Sequence, residues 1–340
     1  MHPGKLNPMT AEPTPPYSGL TPDIVLNAVE SRGYRCDGRL LALNSYENRV
    51  YQIGIEDSAP LVAKFYRPQR WSDPAILEEH TYALALAERE IPMVPPLRDE
   101  HGDTLSSHDG FRFALYPRRG GHPPELDRTD HLKWLGRFIG RIHAIGAAKR
   151  FQHRPTLDVE SLGTEPYQYL LEHNIIPGEL QLPYRTLVED VLKQIDACYQ
   201  RAGAVRHIRL HGDCHPGNIL WTDAGPHFVD LDDSRMGPAI QDLWMLLSGD
   251  REAMTAQLGH VLEGYRQFYD FNPQELHLIE ALRTLRMIHY SAWLARRWHD
   301  PAFPSAFPWF DSPRYWEEQI LALREQAALL DEPAIAIGYL

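Results

Sequence analysis

A polar loop between two apolar stretches carries the residue types that phosphoryl transfer needs. The loop reads His211-Gly212-Asp213-Cys214-His215-Pro216-Gly217-Asn218, and Asp230 lies on the next predicted strand. In loops of the form H-x-D-x-x-x-x-N, the aspartate orients an attacking hydroxyl and accepts its proton, and the asparagine binds a metal ion. We therefore predict that Asp213 is the catalytic base and that Asn218 and Asp230 bind Mg²⁺, a hard cation that prefers oxygen ligands.

Lys64 is the next candidate, because it is a lysine inside an apolar strand. The run Leu61-Val62-Ala63-Lys64-Phe65 resembles the V-A-I-K strand, whose lysine holds the α- and β-phosphates of ATP. Lysine is rare in this arginine-rich chain, and its ammonium group is a compact point charge. The alternative is an edge-strand lysine that deters aggregation. We predict that ATP is the cofactor and that Lys64 binds it.

A lysine in that position needs a carboxylate to orient it, and the following helix offers two. Glu79 shares a helical face with Ile76 and Ala83, whereas Glu78 lies on a more polar face. A charge on the apolar face needs a buried partner, so we predict that Glu79 pairs with Lys64. The alternative is that Glu79 is solvated and Glu78 points inward.

Two further segments are candidates for contacts with ATP. A loop between the first two predicted strands lies where a phosphate-covering loop belongs, and Ser45 and Asn48 could donate hydrogen bonds there. The loop lacks the Gly-x-Gly-x-x-Gly pattern, so an ordinary hairpin explains it equally well. The adenine is expected to meet backbone groups around Leu115 and Tyr116.

Asp242 opens a helix shortly after the second strand of this region. Its carboxylate either braces the catalytic loop through backbone N–H groups or caps its own helix. We favour bracing, because the loop must be held rigid to place Asp213.

The same loop is also compatible with a different chemistry. His211, Asp213 and His215 alternate, and on an extended segment they would face one way, as in a metal-dependent hydrolase. This interpretation leaves three residues without a role: Asn218, Asp230 and Lys64. A plain polar turn between two strands is a further alternative, which the agreement of Lys64 and Glu79 with a kinase site disfavours.

Hydrophobic periodicity predicts a β-rich part followed by a helical part. The first part contains strand-like runs at Leu40–Leu43, Arg49–Ile55, Leu61–Tyr66 and Phe111–Tyr116, with a helix at Asp73–Glu88. The second contains helical runs at Leu132–Ala148, Leu187–Ala202, Ile240–Leu247, Met254–Tyr269, Gln274–Arg297 and Tyr315–Leu329, around a small β island. The fold class predicted is α+β and bilobal, of the protein-kinase type.

Proline and glycine positions suggest the boundaries. We predict a flexible proline-rich leader at residues 1–20, a nucleotide-binding lobe at 21–116, a hinge at 117–124 and a helical lobe with the acceptor site at 125–340.

Composition excludes several classes of protein. The chain has 340 residues and a net charge of −12, which disfavours a broad nucleic-acid-binding surface. No apolar run is long enough to span a membrane. The three cysteines, Cys36, Cys198 and Cys214, form no disulfide or zinc pattern. We expect a cytoplasmic protein that binds neither nucleic acid nor membrane.

The motifs together resemble one family, the bacterial stress response kinase A proteins within the aminoglycoside and choline phosphotransferase-like kinases. The resemblance extends from about residue 20 over nearly the whole chain. It is carried by six segments: Leu43–Gln52, Val62–Pro68, Ile76–His80, Leu210–His215, Phe228–Asp233 and Gln241–Leu247. The segment Trp293–Trp298, followed by Asp300-Pro301-Ala302-Phe303-Pro304, agrees as well.

This resemblance implies a monomeric, ATP- and Mg²⁺-dependent enzyme that phosphorylates serine and threonine in proteins, including itself, during stress. It implies Asp213 and Asp230 as the active-site acids. The residues alone leave two alternatives open: a small-molecule hydroxyl phosphotransferase of the choline- or aminoglycoside-kinase type, and a non-catalytic ATP-binding scaffold.

The loop departs from the H-R-D and D-F-G patterns of many protein kinases. Gly212 replaces the arginine that pairs with a phosphorylated activation loop, and Ser234 is the one hydroxyl residue between Asp230 and Asp242. We therefore predict a preassembled cleft that needs no loop phosphorylation. Autophosphorylation is expected in the leader, at Thr10, Thr14 or Ser18.

Overall fold

The computed structural model describes residues 15–338, which form a β-rich lobe and a larger helical lobe. Thr10 and Thr14 lie outside the described residues. The β-rich lobe consists of α1 (Pro22–Glu30), β1 (Cys36–Ala42), β2 (Arg49–Ile55), β3 (Leu61–Phe65), α2 (Asp73–Ala87), β4 (Ser106–His108) and β5 (Phe111–Pro117).

The five strands form one antiparallel sheet in the order β1-β2-β3-β5-β4. Helix α1 packs on the sheet through Val25, Ala28 and Val29, which are fully buried. Because β3 is the third of the five strands in this order, it lies in the centre of the sheet. Its Lys64 is opposite Val50 on β2 and Ala114 on β5.

Local sequence explains where the two helices of this lobe begin. Thr21 Oγ1 accepts a hydrogen bond from the Ile24 N–H at 3.3 Å, and Ser72 Oγ accepts one from Ala75 N–H at 3.4 Å. A proline in the first turn of each helix costs no hydrogen bond, because that N–H has no helical partner.

The helical lobe contains eight α-helices and four short strands among the described residues. The helices are α3 (Thr129–Gly146), α4 (Glu165–Glu172), α5 (Gly178–Ala202), α6 (Ile240–Trp244), α7 (Arg251–Tyr265), α8 (Ile279–Arg296), α9 (Ala302–Ala306) and α10 (Pro313–Leu330). The strands are β6 (Ile208–Arg209), β7 (Ile219–Thr222), β8 (Gly225–Phe228) and β9 (Met236–Gly237), which pair as β6 with β9 and β7 with β8.

Helices α3 and α7 pack with their backbones in close contact. A Cβ atom on Gly136 would lie 2.0 Å from the Val261 carbonyl oxygen, and one on Gly264 would lie 2.1 Å from that of Lys133. Only glycine fits at these two crossing points. This close packing fixes α3 and α7 relative to each other.

Several elements differ from the sequence prediction. The run predicted as a helix from Gln274 is a 3-10 helix at Pro273–Leu278, and α8 begins only at Ile279. Helices α4 and α9 were not predicted. They are short, and tertiary burial stabilises them, as for Leu170 and Phe303, which are fully buried.

The residues before α1 include part of the predicted leader. Tyr17 is packed against the sheet, where its hydroxyl donates to the carbonyl oxygens of Glu47 and Phe65, both at 3.3 Å. Its ring lies under the Arg49 guanidinium at 4.4 Å. The packed structure thus begins before residue 20.

The predicted fold class is confirmed: the chain is α+β and bilobal, with a small β-rich lobe and a larger helical lobe that contains a β island. Across residues 15–338, none of the helices has the length and apolar composition that crossing a membrane would require.

Candidate active site

The loop between β6 and β7 is held from behind by Asp242 on α6. Its Oδ2 accepts from the His211 N–H and its Oδ1 from the Gly212 N–H, both at 2.8 Å. The bracing role predicted for Asp242 is confirmed. Two charge-assisted bonds to consecutive N–H groups fix the backbone immediately before Asp213.

A second layer holds the brace itself. His143 on α3 is fully buried and contacts Asp242 Oδ2 through Nε2 at 3.0 Å. Its Nδ1 lies 2.8 Å from the hydroxyl of Tyr265 on α7. The α3–α7 pair is therefore linked to the catalytic loop through a buried chain of polar groups. His143 is the middle member of this chain, between Tyr265 and Asp242.

Gly212 is required where many protein kinases have arginine. Its φ is +87°, and a Cβ atom would lie 2.1 Å from the carbonyl oxygen of Asp233. A side chain at this position would collide with backbone, so no arginine can replace this glycine without moving the loop.

Asp213 lies between two basic side chains, Arg286 and His215. Its Oδ1 accepts from Arg286 Nη1 of α8 at 2.7 Å, and its Oδ2 is 3.4 Å from His215 Nε2. Burial alone would raise the pKa of Asp213, but the bond to His215 and the charge of Arg286 outweigh it and hold the pKa well below its usual range. The carboxylate is therefore ionised, as a base must be.

Asn218 and Asp230 are joined through the strand pair β7–β8. The Asn218 amide nitrogen donates to the Asp213 carbonyl oxygen at 2.9 Å, and the Val229 N–H donates to the Asn218 carbonyl oxygen at 3.0 Å. Among the described residues, none donates a hydrogen bond to the amide oxygen of Asn218. Asp230 follows with a φ of +60° and a side chain that is 49% exposed.

Lys64 meets three carboxylates at the base of the cleft. Its Nζ lies 2.9 Å from Asp230, 3.1 Å from Asp232 and 3.6 Å from Glu79. Burial alone would lower the pKa of Lys64, but the three carboxylates outweigh it and raise the pKa well above the usual range. Lys64 is a charged residue in the centre of the sheet, so the alternative of a protective edge-strand lysine is wrong.

Glu79 faces Lys64, as the helical periodicity predicts, and it has a second partner that the sequence did not reveal. Arg154, from the segment after α3, donates from Nη2 to Glu79 Oε2 at 3.1 Å. The same guanidinium donates to the backbone carbonyls of Asp232 and Ser234 at 2.9 and 2.8 Å. Arg154 therefore links α2 to the segment that follows Asp230.

Glu78 fastens the other face of α2 to the helical lobe. Its carboxylate accepts from the backbone N–H groups of Gln152, His153 and Arg154 at 2.6, 2.9 and 3.1 Å. Glu78 does not point toward Lys64. The two neighbouring glutamates together hold α2 against the helical lobe.

Asp232 and Asp233 are paired with arginine. Arg70 Nη1 contacts Asp232 Oδ2, and Arg70 Nη2 lies 2.8 Å from Asp233 Oδ1. Burial would raise the pKa of Asp232, but Arg70 and Lys64 outweigh it and lower the pKa to about 2. Both carboxylates thus serve to close the two lobes onto each other.

The loop between β1 and β2 is anchored to the helical lobe. Glu47 accepts from Trp293 Nε1 at 2.6 Å and pairs with Arg297 Nε at 2.6 Å. Asn48 is 2% exposed, and its Oδ1 accepts from the Arg67 N–H at 3.1 Å. Asn48 therefore forms a hydrogen bond within the β-rich lobe. Ser45, on the same loop, is half-buried.

Leu115 and Tyr116 lie on β5, and both form hydrogen bonds within the β-rich lobe. The Leu115 carbonyl oxygen accepts from the Leu97 N–H at 2.7 Å. The Tyr116 hydroxyl lies 3.0 Å from that of Tyr66, which in turn is 2.6 Å from His80 Nε2. The sequence did not predict this buried hydrogen-bonded chain behind Lys64.

The donor set fits a metal ion that is shared with phosphate. No group of three or more histidine, cysteine, aspartate or glutamate side chains in residues 15–338 could enclose a metal. The half-exposed Asp230 carboxylate and the amide oxygen of Asn218 are hard oxygen donors. Mg²⁺ in phosphoryl-transfer sites commonly takes one or two protein oxygens and completes its shell with phosphate and water. The predicted ligands therefore match that chemistry.

The chain is similar to known phosphotransferases over most of its length. The model of the phosphotransferase enzyme family matches residues 39–282. Stress response kinase A of Escherichia coli O157:H7 is 44% identical over 321 residues, which cover 94% of this chain and 97% of that protein. Serine/threonine protein kinase RdoA of Salmonella typhimurium is 43% identical over the same shares.

Solved structures share the fold at much lower identity. An amicoumacin kinase, hAmiN, in complex with AMP-PNP, Ca²⁺ and Ami superposes with a TM-score of 0.70 at 19% identity, covering 91% of this chain and 94% of that one. This likeness supports the bilobal fold independently of the sequence relatives.

Proposed function

The chain belongs to the phosphotransferase enzyme family and, within it, to the stress response kinase A proteins, and on this premise we propose that it is an ATP- and Mg²⁺-dependent serine/threonine protein kinase. The observation that carries the proposal is the 2.9 Å contact between Lys64 of the β-rich lobe and Asp230 of the helical lobe. This contact lies beside the braced loop that holds Asp213 and Asn218.

The residues divide the reaction between them. Asp213 orients the serine or threonine hydroxyl and accepts its proton as the hydroxyl oxygen attacks the γ-phosphorus of ATP. The bond between the γ-phosphorus and the bridging oxygen breaks, and ADP leaves. Lys64, released from Asp230 and held by Glu79, binds the α- and β-phosphates. Asn218 and Asp230 would hold Mg²⁺, which neutralises charge on the triphosphate.

The bracing contacts explain how the protein would contribute to the rate. Phosphoryl transfer depends on positioning and on fixed charges more than on covalent chemistry by the enzyme. Asp242 fixes the loop backbone, and Arg154 and Glu78 fix α2 with Glu79. These contacts support a cleft that is assembled before the substrates bind.

A protein acceptor is favoured over a small molecule by the relatives of high identity. One of them is named a serine/threonine protein kinase, and 97% of its length aligns with this chain. A small-molecule hydroxyl phosphotransferase is the second candidate, because amicoumacin kinase shares the fold. We further infer autophosphorylation, a role in the stress response, a monomeric state and a cytoplasmic location, without nucleic-acid or membrane partners.

Transfer of labelled γ-phosphate from ATP tests the proposal. The purified protein is incubated with Mg²⁺ alone, with a library of serine and threonine peptides, and with a panel of small alcohols. We expect label on peptides and on the protein itself, and none after chelation of Mg²⁺. Label on small alcohols alone would replace the protein kinase with the second candidate. Binding of ATP without any transfer would indicate a scaffold.

A further inference from the structure

One face of α8 connects the catalytic loop with the loop that precedes β2. Arg286 contacts Asp213 Oδ1 at 2.7 Å, and Trp293 donates its indole N–H to Glu47 at 2.6 Å. Seven residues of helix span roughly 10 Å. We call the face formed by Arg286, Tyr290 and Trp293 the α8 face.

The middle of the α8 face is aromatic and partly exposed. The rings of Tyr290 and Trp293 are stacked, with 5.7 Å between their centroids and 20° between their planes. Tyr290 is 39% exposed. Tyr290 lies one helical turn from Arg286, so this aromatic surface offers apolar contact to a chain that passes from the Arg286–Asp213 contact along α8.

Arg286 has more hydrogen-bonding capacity than its contact with Asp213 uses. A guanidinium group carries five N–H donors in a rigid fork. Within residues 15–338 only the Nη1 of Arg286 has a hydrogen-bond partner, and the side chain is 47% exposed. If Arg286 served only to orient Asp213, its remaining N–H groups would donate hydrogen bonds to water alone.

The charge of Arg286 also limits which acceptors can approach. A cationic acceptor, such as a quaternary ammonium alcohol or a polyamine sugar, would place like charges together beside Asp213. An acceptor with a carboxylate close to its hydroxyl would instead gain a charge-assisted bond from the free side of the fork.

We propose that the α8 face binds the acceptor segment and that Arg286 selects peptides with an aspartate or glutamate close to the acceptor serine or threonine. This inference rests on the proposed protein kinase function. Arg286 is then the specificity-determining residue: its Nη1 keeps Asp213 oriented while the rest of the fork holds the acidic side chain of the substrate.

A charge-swap experiment tests the inference. Peptides with a single serine carry glutamate, glutamine or lysine at each flanking position in turn, and a further arm carries phosphoserine in place of glutamate. Initial rates are measured at saturating ATP for the wild type, Arg286→Glu and Arg286→Ala. Arg324→Glu is the matched control, since it makes the same charge change at an exposed position on α10.

We expect the wild type and Arg324→Glu to prefer the best glutamate peptide over its lysine counterpart by about tenfold in kcat/KM, as one partly exposed arginine–carboxylate pair implies. Arg286→Glu should reverse this preference, and Arg286→Ala should abolish it. A phosphoserine peptide that outperforms the glutamate peptide would overturn the choice of a carboxylate as the natural anion.

A binding measurement separates recognition from the effect of Arg286 on Asp213. Fluorescence anisotropy with serine-to-alanine versions of the peptides should show the same reversal for Arg286→Glu. Equal charge preference in the wild type and both Arg286 variants would overturn the inference and leave the protein kinase function intact. Absence of transfer to any peptide by the wild type would instead overturn the proposed function.

Discussion

Arg154 and Glu79 form an ion pair at 3.1 Å that joins the helical lobe to helix α2, and the arginine side chain is fully buried. Glu79 is the residue that also faces Lys64, at 3.6 Å. In protein kinases, activity requires that the lysine–glutamate pair be in place. Here that pair is fixed by a contact within the chain, which needs no phosphorylated loop.

Removal of this contact should loosen the cleft. We expect Arg154→Met to raise the KM for ATP and to lower kcat, because Glu79 loses the partner that holds it opposite Lys64. Breaking a buried pair also destabilises the fold by about 3 kcal/mol. Steady-state kinetics and chemical denaturation measure the two effects.

Arg201→Met is the control for the Arg154 experiment. Arg201 donates to the Leu330 carbonyl oxygen at 2.9 Å, away from the cleft. It should leave the KM for ATP unchanged. An unchanged KM in Arg154→Met as well would show that Glu79 does not depend on Arg154.

Ser234 is expected to have no role as a phosphorylation switch. It is fully buried, and its carbonyl oxygen accepts from Arg154 at 2.8 Å. Ser234→Ala should keep its initial rate within about twofold of the wild type, because the Ser234 hydroxyl has no hydrogen-bond partner among the described residues and its removal breaks no hydrogen bond. Phosphatase treatment of either protein should change nothing. A large loss that phosphorylation at Ser234 restores would show a switch.

Lys64 should be needed for productive binding of ATP. We expect Lys64→Ala to reduce kcat/KM for ATP on the order of 100-fold or more, as for loss of one fixed charge at a reacting phosphate. Lys64→Arg should rescue poorly, because a planar fork does not fit among Asp230, Asp232 and Glu79. Lys193→Ala, which removes an exposed lysine on α5, is the control. Full activity of Lys64→Arg would contradict this assignment.

Glu275 should make the protein less stable as pH rises. It is 3% exposed, and burial raises its pKa from 4.5 to about 7, although its Oε2 accepts from the Ile240 N–H. Because the folded pKa lies above the unfolded value, the favourable contribution is complete below pH 4.5 and is lost as pH rises through 7.

Glu275→Gln keeps an acceptor for Ile240 and removes the titration. From pH 5 to pH 8, the free energy of unfolding of the variant should therefore rise by about 1 to 3 kcal/mol relative to that of the wild type. Denaturant unfolding at the two values measures this gain, with Glu325→Gln on the exposed side of α10 as the control. An equal difference between wild type and variant at both pH values would refute the prediction.

The local part of the site could be predicted from the sequence. The catalytic loop, the strand with Lys64 and the choice of Glu79 each depend on spacing within one element, and the structure places them together. The bracing by Asp242 could also be predicted, because a carboxylate at the start of a helix commonly accepts hydrogen bonds from backbone N–H groups.

The arginines that complete the site could not be predicted, because their partners are distant in the chain. Arg154 lies 75 positions from Glu79, Arg286 lies 73 from Asp213, and Arg70 lies 163 from Asp233. No periodicity relates such pairs. The short helices α4 and α9 were missed for a similar reason, since burial by distant residues stabilises them.

A single-turnover measurement on Asp213→Asn tests the central claim most directly. Enzyme is mixed with limiting γ-labelled ATP, Mg²⁺ and a serine peptide in a rapid-quench instrument, and ATP affinity is measured separately. Loss of the base should slow phosphate transfer on the order of 100-fold or more while the Kd for ATP changes little. Transfer at the wild-type rate, or loss of ATP binding in its place, would contradict the assignment of Asp213 as the base of a protein kinase.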